Sequence, residues 1–298
     1  MERGLIGIIQ RASRKTRFKA GLALSSLILI LAVVALYIVP FPQDALGYVP
    51  RNVEARRLLP PSGDFLFGTD HLGRDLFSRV IMGARTALIQ VLTVTIISLL
   101  LGIIVGVTAA YFRGLIETLL NYFVEVFMPL PAVVIALVLR LALGSGIHVV
   151  ILALVSTWWA WYARITYVYA RGIVELDYVV LAKLVGLSNI KVISRHVVLN
   201  IIQPLVVQAI TDMGGVLLEA ASINFLGLGL EPGSPEWGVM LYEALFYAGG
   251  VEAVVKAPWL VVFPGLFLLL TILGFSLLGD CLREEIDPRL RRRWRLWF

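Results

Sequence analysis

The sequence contains little cysteine and little charge. Cys281 is the single cysteine among 298 residues, which excludes an internal disulfide framework, and no Cys/His cluster suggests a zinc site. Charged residues make up 15% of the chain, whereas soluble domains carry about 25%. Hydrophobic residues reach 59%. This composition argues against a soluble globular protein.

Motifs for nucleotide binding and catalysis are also missing. No Gly-x-x-x-x-Gly-Lys-Ser/Thr loop is present to hold phosphates, and Gly227-Leu-Gly229 lacks the strand-to-helix context of a dinucleotide site. His71, His148 and His196 have no nucleophile or metal ligand at a meaningful spacing, and a nucleophile–base pair for an intramembrane enzyme is not visible. We therefore expect no catalytic residue, no metal site and no cofactor bound by this chain.

Long apolar segments dominate what is present. Residues 22–40 and 259–278 contain no charge, and a helix of roughly 20 apolar residues crosses a bilayer. Because a helix satisfies its own backbone in lipid, we expect an all-α membrane protein. Six transmembrane helices are predicted, at about Leu22–Val39, Arg85–Tyr111, Leu115–Leu143, Ile147–Ala170, Asn200–Ile223 and Pro258–Leu278.

Basic residues indicate the orientation of these helices. The formal net charge of +6 suggests nucleic acid as one partner, but the basic residues lie mainly at the two termini and in one central loop. Positive charge at such places is typical of the cytoplasmic side, so we expect no nucleic acid and cytoplasmic termini. The predicted division is a basic N-terminus (1–21), a first helix (22–39), an extracytoplasmic loop region (40–84), a five-helix core (85–280) and a basic tail (281–298). We interpret the first apolar stretch as a retained helix rather than a signal peptide, because it is too long for one and lacks a small-residue cleavage site.

Within the core, the cytoplasmic loop 171–199 carries the clearest pattern, whereas 224–257 is predicted to be an outer loop. Asp177 favours the start of a short helix, with Tyr178, Val179, Ala182, Leu184 and Val185 as its apolar side. Gly186 is suited to end that helix, and Ser188 to cap a second one that begins near Asn189. Such a helix offers a surface to another protein, or it lies on the lipid face; composition leaves both open.

The same loop resembles the coupling-loop motif of ABC-importer permeases, in Asp177-Tyr-Val, Ala182, Gly186-Leu-Ser188, Ile193, His196 and Asn200. Three further segments resemble the second permease of dipeptide, oligopeptide and nickel systems: Phe67–Arg85, Glu219–Gly229 followed by Pro235–Gly238, and Gly279–Leu290. The chain departs from the family pattern at Leu181 and Leu199, and it lacks the motif's glutamate. The residues that the resemblance assigns to ATPase coupling are Asp177, Tyr178, Ala182, Lys183, Gly186, Leu187, Ser188 and His196.

The resemblance implies a type I importer permease fold and a set of partners in the cell membrane. These partners are a homologous permease that forms a heterodimer, two cytoplasmic ATPases that bind ATP and Mg, an extracytoplasmic substrate-binding protein, and lipid. The substrates implied are di- and oligopeptides, with oligosaccharides or nickel complexes as alternatives. A gradient-driven transporter without an ATPase is the alternative of another class.

Charged residues inside apolar segments are candidates for the translocation pathway, because placing a charge in a membrane costs at least about 2.5 kcal/mol. Asp212 and Glu219 are such candidates, although Gly214 and Gly215 between them also suggest close helix packing. Glu125 lines the passage or lies at the inner interface.

Other charged and aromatic residues receive structural interpretations. Pro129 and Pro131 are expected to bend the third helix. We interpret Trp158, Trp159 and Trp161 as an interfacial belt. Asp70, Arg74 and Asp75 are expected to form ion pairs that fold the first outer loop.

Overall fold

A computed structural model describes residues 5–286, and this range contains helices and connecting segments without a β-strand. The helices are α1 (Leu5–Ala12), α2 (Thr16–Ile38), α3 (Pro42–Ala45), α4 (Val53–Arg56), α5 (Leu76–Phe112), α6 (Gly114–Phe127), α7 (Ala132–Leu143), α8 (Ile147–Val174), α9 (Asp177–Leu184), α10 (Asn189–Val192), α11 (Leu199–Phe225), α12 (Trp237–Phe246), α13 (Gly250–Lys256) and α14 (Trp259–Ile286). A wider, π-helical turn over Ile193–Val198 joins α10 to α11. The all-α prediction is confirmed for the described residues.

Five helical segments of the described range are long and apolar enough to cross a membrane: Thr16–Ile38, Leu76–Phe112, Ile147–Val174, Asn189–Phe225 and Trp259–Ile286. The predicted third span instead consists of α6 and α7, which meet at 83°. The break lies at 128–131 and contains Pro129 and Pro131, as the bend prediction required, because proline cannot continue the hydrogen-bond ladder. A second bent pair, α12 and α13 at 109°, lies within the predicted outer loop 224–257. The count of six spans stays a prediction.

Helices α5 and α8 form the centre of the bundle because glycine lets them approach closely. A Cβ atom on Gly102 would lie 2.4 Å from the Cβ of Tyr162, and one on Gly106 would lie 2.5 Å from the carbonyl oxygen of Ala163. Small residues at helix contacts are typical of membrane bundles, where lipid provides no hydrophobic drive for association. Helices α2, α11 and α14 pack around this pair through a shared apolar core.

One end of the bundle carries the segments 39–75 and 226–258, and we call it the network end. Here α5 begins at Leu76 rather than near Arg85, because the Asp75 carboxylate caps the helix by accepting a hydrogen bond from the Ser78 amide at 2.8 Å. Helix α12 packs on this extension of α5, where the buried Trp237 indole donates a hydrogen bond to the Val80 carbonyl at 2.9 Å.

The opposite end carries α9, α10 and the π-helical turn, and we call it the ridge end. The termini of the described chain also meet each other: Lys15 pairs with Glu284 at 2.8 Å and Arg11 with Glu285 at 3.2 Å. Helix α14 ends at Ile286, so its last turns lie in the segment that was predicted to be the tail (281–298). The arginines predicted to mark the tail beyond this point, and Arg3 near the start, lie outside the described residues.

Candidate functional site

The short helices α9 and α10 are held on the ends of three long helices. Val179 and Ala182 of α9 and Val192 of α10 are buried, in an apolar cluster that includes Val107 of α5 and Ile201 of α11. Two polar contacts with α5 add to this cluster. The Tyr111 hydroxyl donates to the Asn189 side-chain oxygen at 2.8 Å, and the Lys183 ammonium lies 4.0 Å from the centre of the Tyr111 ring. These contacts fix α9 and α10 against the ends of α5, α8 and α11.

Gly186 ends α9 as the sequence predicts. Its φ of +88° is in the left-handed region, where glycine avoids the strain that a side chain would add. The Gly186 amide donates to the Lys183 carbonyl at 3.0 Å, and the Leu187 amide donates to the Ala182 carbonyl at 3.2 Å. This pair of hydrogen bonds is a Schellman motif, which satisfies carbonyls that the helix end would otherwise leave open. The motif turns the chain sharply into α10.

An apolar surface projects from the ridge end. Leu181, Leu184, Val185 and Ile190 are 57%, 76%, 82% and 80% exposed, and we call these four residues the apolar ridge. The predicted apolar side of α9 was therefore partly wrong, because only Val179 and Ala182 face the bundle while Tyr178 is 42% exposed. Five positions spread over more than half of the helix circumference cannot all face one neighbour at 3.6 residues per turn. Contiguous exposed apolar residues mark a contact surface for a protein or a membrane.

The other residues of the loop that were assigned to ATPase coupling lie at different positions in α9, α10 and the π-helical turn. Asp177 starts α9, where its charge suits the positive end of the helix. Ser188 occupies the cap position of α10 but makes no side-chain capping hydrogen bond, which corrects the prediction that its hydroxyl would cap. His196 lies in the π-helical turn with its ring 6.2 Å from that of Tyr178. Partial burial lowers the pKa of Lys183, and the nearby Arg113 guanidinium lowers it further.

Two carboxylates of α11 meet two indole groups of α8 on a face that the described residues leave open: Glu219 is exposed, Asp212 is partly buried and Trp161 is 38% exposed. The Trp158 indole donates to Glu219 at 3.0 Å, and the Trp161 indole donates to Asp212 at 3.2 Å. The belt interpretation is wrong for Trp158, Trp159 and Trp161, because all three lie near the middle of α8 rather than at its end. Close helix packing is confirmed for Gly214, whereas the pathway role of the two carboxylates stays a prediction. Gly214 packs closely against α14, and a Cβ on Gly215 would touch the Trp158 ring at 3.5 Å.

The break between α6 and α7 opens a cavity beside this pair of helices. Its volume is about 380 Å³, and its lining is Met128, Leu130, Pro131, Ala132, Thr157, Trp158, Trp161 and Glu219. Glu125 belongs to a neighbouring cavity, where its side chain is 67% exposed and 4.0 Å from Arg164. The structure thus brings Glu219 and Asp212 together with aromatic residues, and it separates Glu125 from them.

Four buried charges join the two segments of the network end. The Asp70 carboxylate pairs with Arg74 and Arg79, each at 2.6 Å, and Glu243 pairs with the same arginines at 3.0 and 2.7 Å. All four side chains are at most 3% exposed. Burial alone would raise the pKa of Asp70, but the guanidinium groups of Arg79 and Arg74 outweigh it and lower that pKa. We call these four residues the charge network.

The charge network confirms one sequence prediction and corrects another. Asp70 and Arg74 form the expected ion pair, whereas Asp75 caps α5 instead of pairing with an arginine. Sequence reasoning missed Arg79 and Glu243, which are separated by 164 positions in the chain. The sequence offered one signal for each residue: Arg79 and Glu243 are charges placed next to apolar segments.

Comparison with known proteins adds evidence of another kind. A profile of the family described as "Binding-protein-dependent transport system inner membrane component" matches residues 98–292. A putative peptide transport system permease protein of Brucella suis is 35% identical over 95% of this chain and 91% of its own length. The nickel transport system permease protein NikC of Escherichia coli K12 is 33% identical, over 92% and 96% of the two chains. The dipeptide transport system permease protein DppC of Alkalihalophilus pseudofirmus is 31% identical, over 94% and 90%.

A solved structure shares the arrangement of the helices. The crystal structure of an amino acid ABC transporter with histidines aligns with a TM-score of 0.50 over 70% of this chain and 94% of that one. Sequence identity is 16%, so the likeness concerns the fold alone. It supports the predicted permease fold and leaves the substrate open.

Proposed function

Because this chain belongs to the family of binding-protein-dependent transport inner membrane components, we propose that it is one permease of an ATP-driven importer of di- and oligopeptides. In this proposal the chain pairs with a homologous permease in the cell membrane to enclose the pathway. Two cytoplasmic ATPases supply ATP hydrolysis, and an extracytoplasmic binding protein delivers the substrate. Both termini and the ridge end face the cytoplasm, where the basic residues concentrate.

The apolar ridge carries this proposal. Four apolar side chains that are more than half exposed at a loop end offer a contact surface to a partner, and α9 packs against α5, α8 and α11, which could carry a push from that partner. An ATPase bound to the ridge would thereby transmit its closure to the helices around the cavity. ATP binding would favour one of two states of the bundle, inward-facing or outward-facing, by binding that state better.

Peptide as the substrate is supported by the names of two relatives, whereas a third relative is named for nickel. Oligosaccharides are the other alternative for the same importer. A gradient-driven transporter is the rival of another class, and it would need no ATPase at the ridge.

The proposal is tested with the complete complex in liposomes. We expect ATP hydrolysis to rise when the binding protein is supplied with peptides, and less or not at all with oligosaccharides. Stimulation by oligosaccharides alone would replace the substrate class and keep the importer. An intact complex that hydrolyses no ATP would favour the gradient-driven rival.

A further inference from the structure

Glu219 lies in a spanning helix without a cationic partner. No ion pair within 4.0 Å among residues 5–286 includes Glu219 or Asp212, whereas Glu125 has Arg164 nearby. Neutral indole groups donate hydrogen bonds to both carboxylates but do not cancel their charge. Charged residues within membrane-spanning helices normally pair with an opposite charge, because leaving them unpaired is costly. Glu219 is exposed and lines the cavity beside the α6–α7 break, so its carboxylate is open to a cation from outside the described chain.

The surroundings of Glu219 indicate what kind of cation fits. Its Oε2 atom accepts from Trp158, while Oε1 accepts no hydrogen bond from the described residues. The Trp158 and Trp161 rings line the same cavity of about 380 Å³. Aromatic rings attract organic cations, and tryptophan does so most strongly, especially in a desolvated site.

A bare metal ion suits this cavity less well than an organic cation. Over the described range, no group of three or more His, Cys, Asp or Glu side chains is placed to hold a metal ion. One free carboxylate oxygen with aromatic walls instead matches an ammonium group, which donates to the oxygen and contacts the rings.

We infer that Glu219, Trp158 and Trp161 form a site that binds an organic ammonium group of the substrate, such as the amino terminus of a peptide. Asp212 lies two helical turns from Glu219 on the same side of α11, but the Arg283 guanidinium of α14 acts on it, so Glu219 is the carboxylate left for the ligand. The inference rests on the proposed function, because it places the cavity on the translocation pathway. In this inference, the permease recognises the ammonium charge of the substrate and not its side chains.

The test measures peptide binding to the complete complex in nanodiscs without its binding protein, by saturation-transfer NMR at millimolar peptide. We expect dialanine to bind the unaltered complex and to bind Glu219→Gln at least about tenfold more weakly, a loss of about 1.4 kcal/mol. N-acetyl-dialanine, which lacks the ammonium group, should bind the unaltered complex equally weakly. The matched control Glu54→Gln removes an exposed carboxylate of α4 and should bind dialanine normally.

Further probes separate the sources of the ammonium group. N-acetyl-alanyl-lysine has only a side-chain ammonium, so binding equal to that of dialanine supports a site for any ammonium, and weak binding supports a site for the amino terminus. Trp161→Leu, at a residue that is 38% exposed, tests the aromatic wall without emptying a buried core, and it should weaken dialanine binding severalfold.

Three results would overturn the site. They are equal binding of dialanine and its acetylated form, unchanged dialanine binding by Glu219→Gln, and loss of the second permease from Glu219→Gln complexes, which would put the countercharge on that subunit. The proposed function fails separately, because its failure is a complex that contains no ATPase or hydrolyses no ATP.

Discussion

The two ends of the bundle differ in what they bury: the network end buries charged side chains, and the ridge end exposes apolar ones. At the network end, the charges of Asp70, Arg74, Arg79 and Glu243 are buried and paired within the chain. At the ridge end, apolar side chains are exposed and have no cover within the described residues, although the backbone beneath them is well packed. The network end therefore pairs its buried charges within the chain, whereas the ridge end presents four exposed apolar side chains within one short segment.

This difference suggests how the chain divides its work. The charge network fixes α12 and the segment 39–75 against α5, so it offers a rigid platform on the side expected to receive the binding protein. In the proposed function, the ridge receives the ATPase and passes its closure on to the bundle. Between the two ends, the Glu219 carboxylate accepts one hydrogen bond, from Trp158, and forms no ion pair within the described residues, as the proposed ammonium site requires.

The largest effect is expected from breaking the charge network. Glu243→Gln removes one of two negative charges that face two buried arginines, and loss of one partner of a buried ion pair costs roughly 3–5 kcal/mol. Thermal unfolding of the purified complex in detergent would measure the loss. Glu252→Gln is the matched control, because its pair with Lys256 is 78% and 73% exposed and contributes at most about 1 kcal/mol. If both substitutions lowered thermal stability equally, the buried charge network would contribute no more than an exposed surface ion pair.

A smaller effect is expected at the turn that presents the ridge. Gly186→Ala forces a side chain into the left-handed region at about 1–2 kcal/mol, although the space around it is open. We expect the complex to stay folded while less substrate is moved per ATP hydrolysed, because α9 leaves its position. Gly172→Ala is the control: it lies within α8, also in open space, and should be neutral or slightly stabilising. Normal coupling in Gly186→Ala would contradict the role of the turn.

The smallest effect on stability is expected from the ridge itself. Val185→Ser alters a side chain that is 82% exposed, so the free energy of unfolding should change by no more than about 0.5 kcal/mol. The amount of ATPase that copurifies should nevertheless fall. Val255→Ser, at a 74% exposed valine of the network end, should leave the ATPase bound. A fall with both variants, or with neither, would mean that the ridge has no special role.

Local rules predicted the parts of the structure that depend on neighbouring residues. The start of α9 at Asp177 and its end before Gly186 follow from helix-dipole and glycine chemistry within a few positions, whereas α10 begins at Asn189 without the predicted Ser188 cap. The break at 128–131 follows from its two prolines in the same way.

Features that depend on distant pairing were missed. Arg79 and Glu243 meet across most of the chain, and apolar periodicity contains no information about such a pair. The positions of Trp158 and Trp161 were missed because composition indicates that tryptophan favours interfaces, whereas the α11 carboxylates provide partners for the indole groups in mid-helix. The start of α5 was placed too late because its first turns carry Arg79, whose charge is neutralised only in the folded protein.

The most direct test of the central claim is crosslinking from each end to the ATPase in the intact complex. Val185→Cys and Val255→Cys each add one exposed thiol, while the native Cys281 is 1% exposed and should react little. A short reagent with one thiol-reactive end and one photoreactive end needs no cysteine on the ATPase. After illumination it should join the ATPase to Val185→Cys and leave Val255→Cys unlinked. A crosslink from Val255→Cys, or none from Val185→Cys in a complex that contains the ATPase, would contradict both the orientation and the docking role of the ridge.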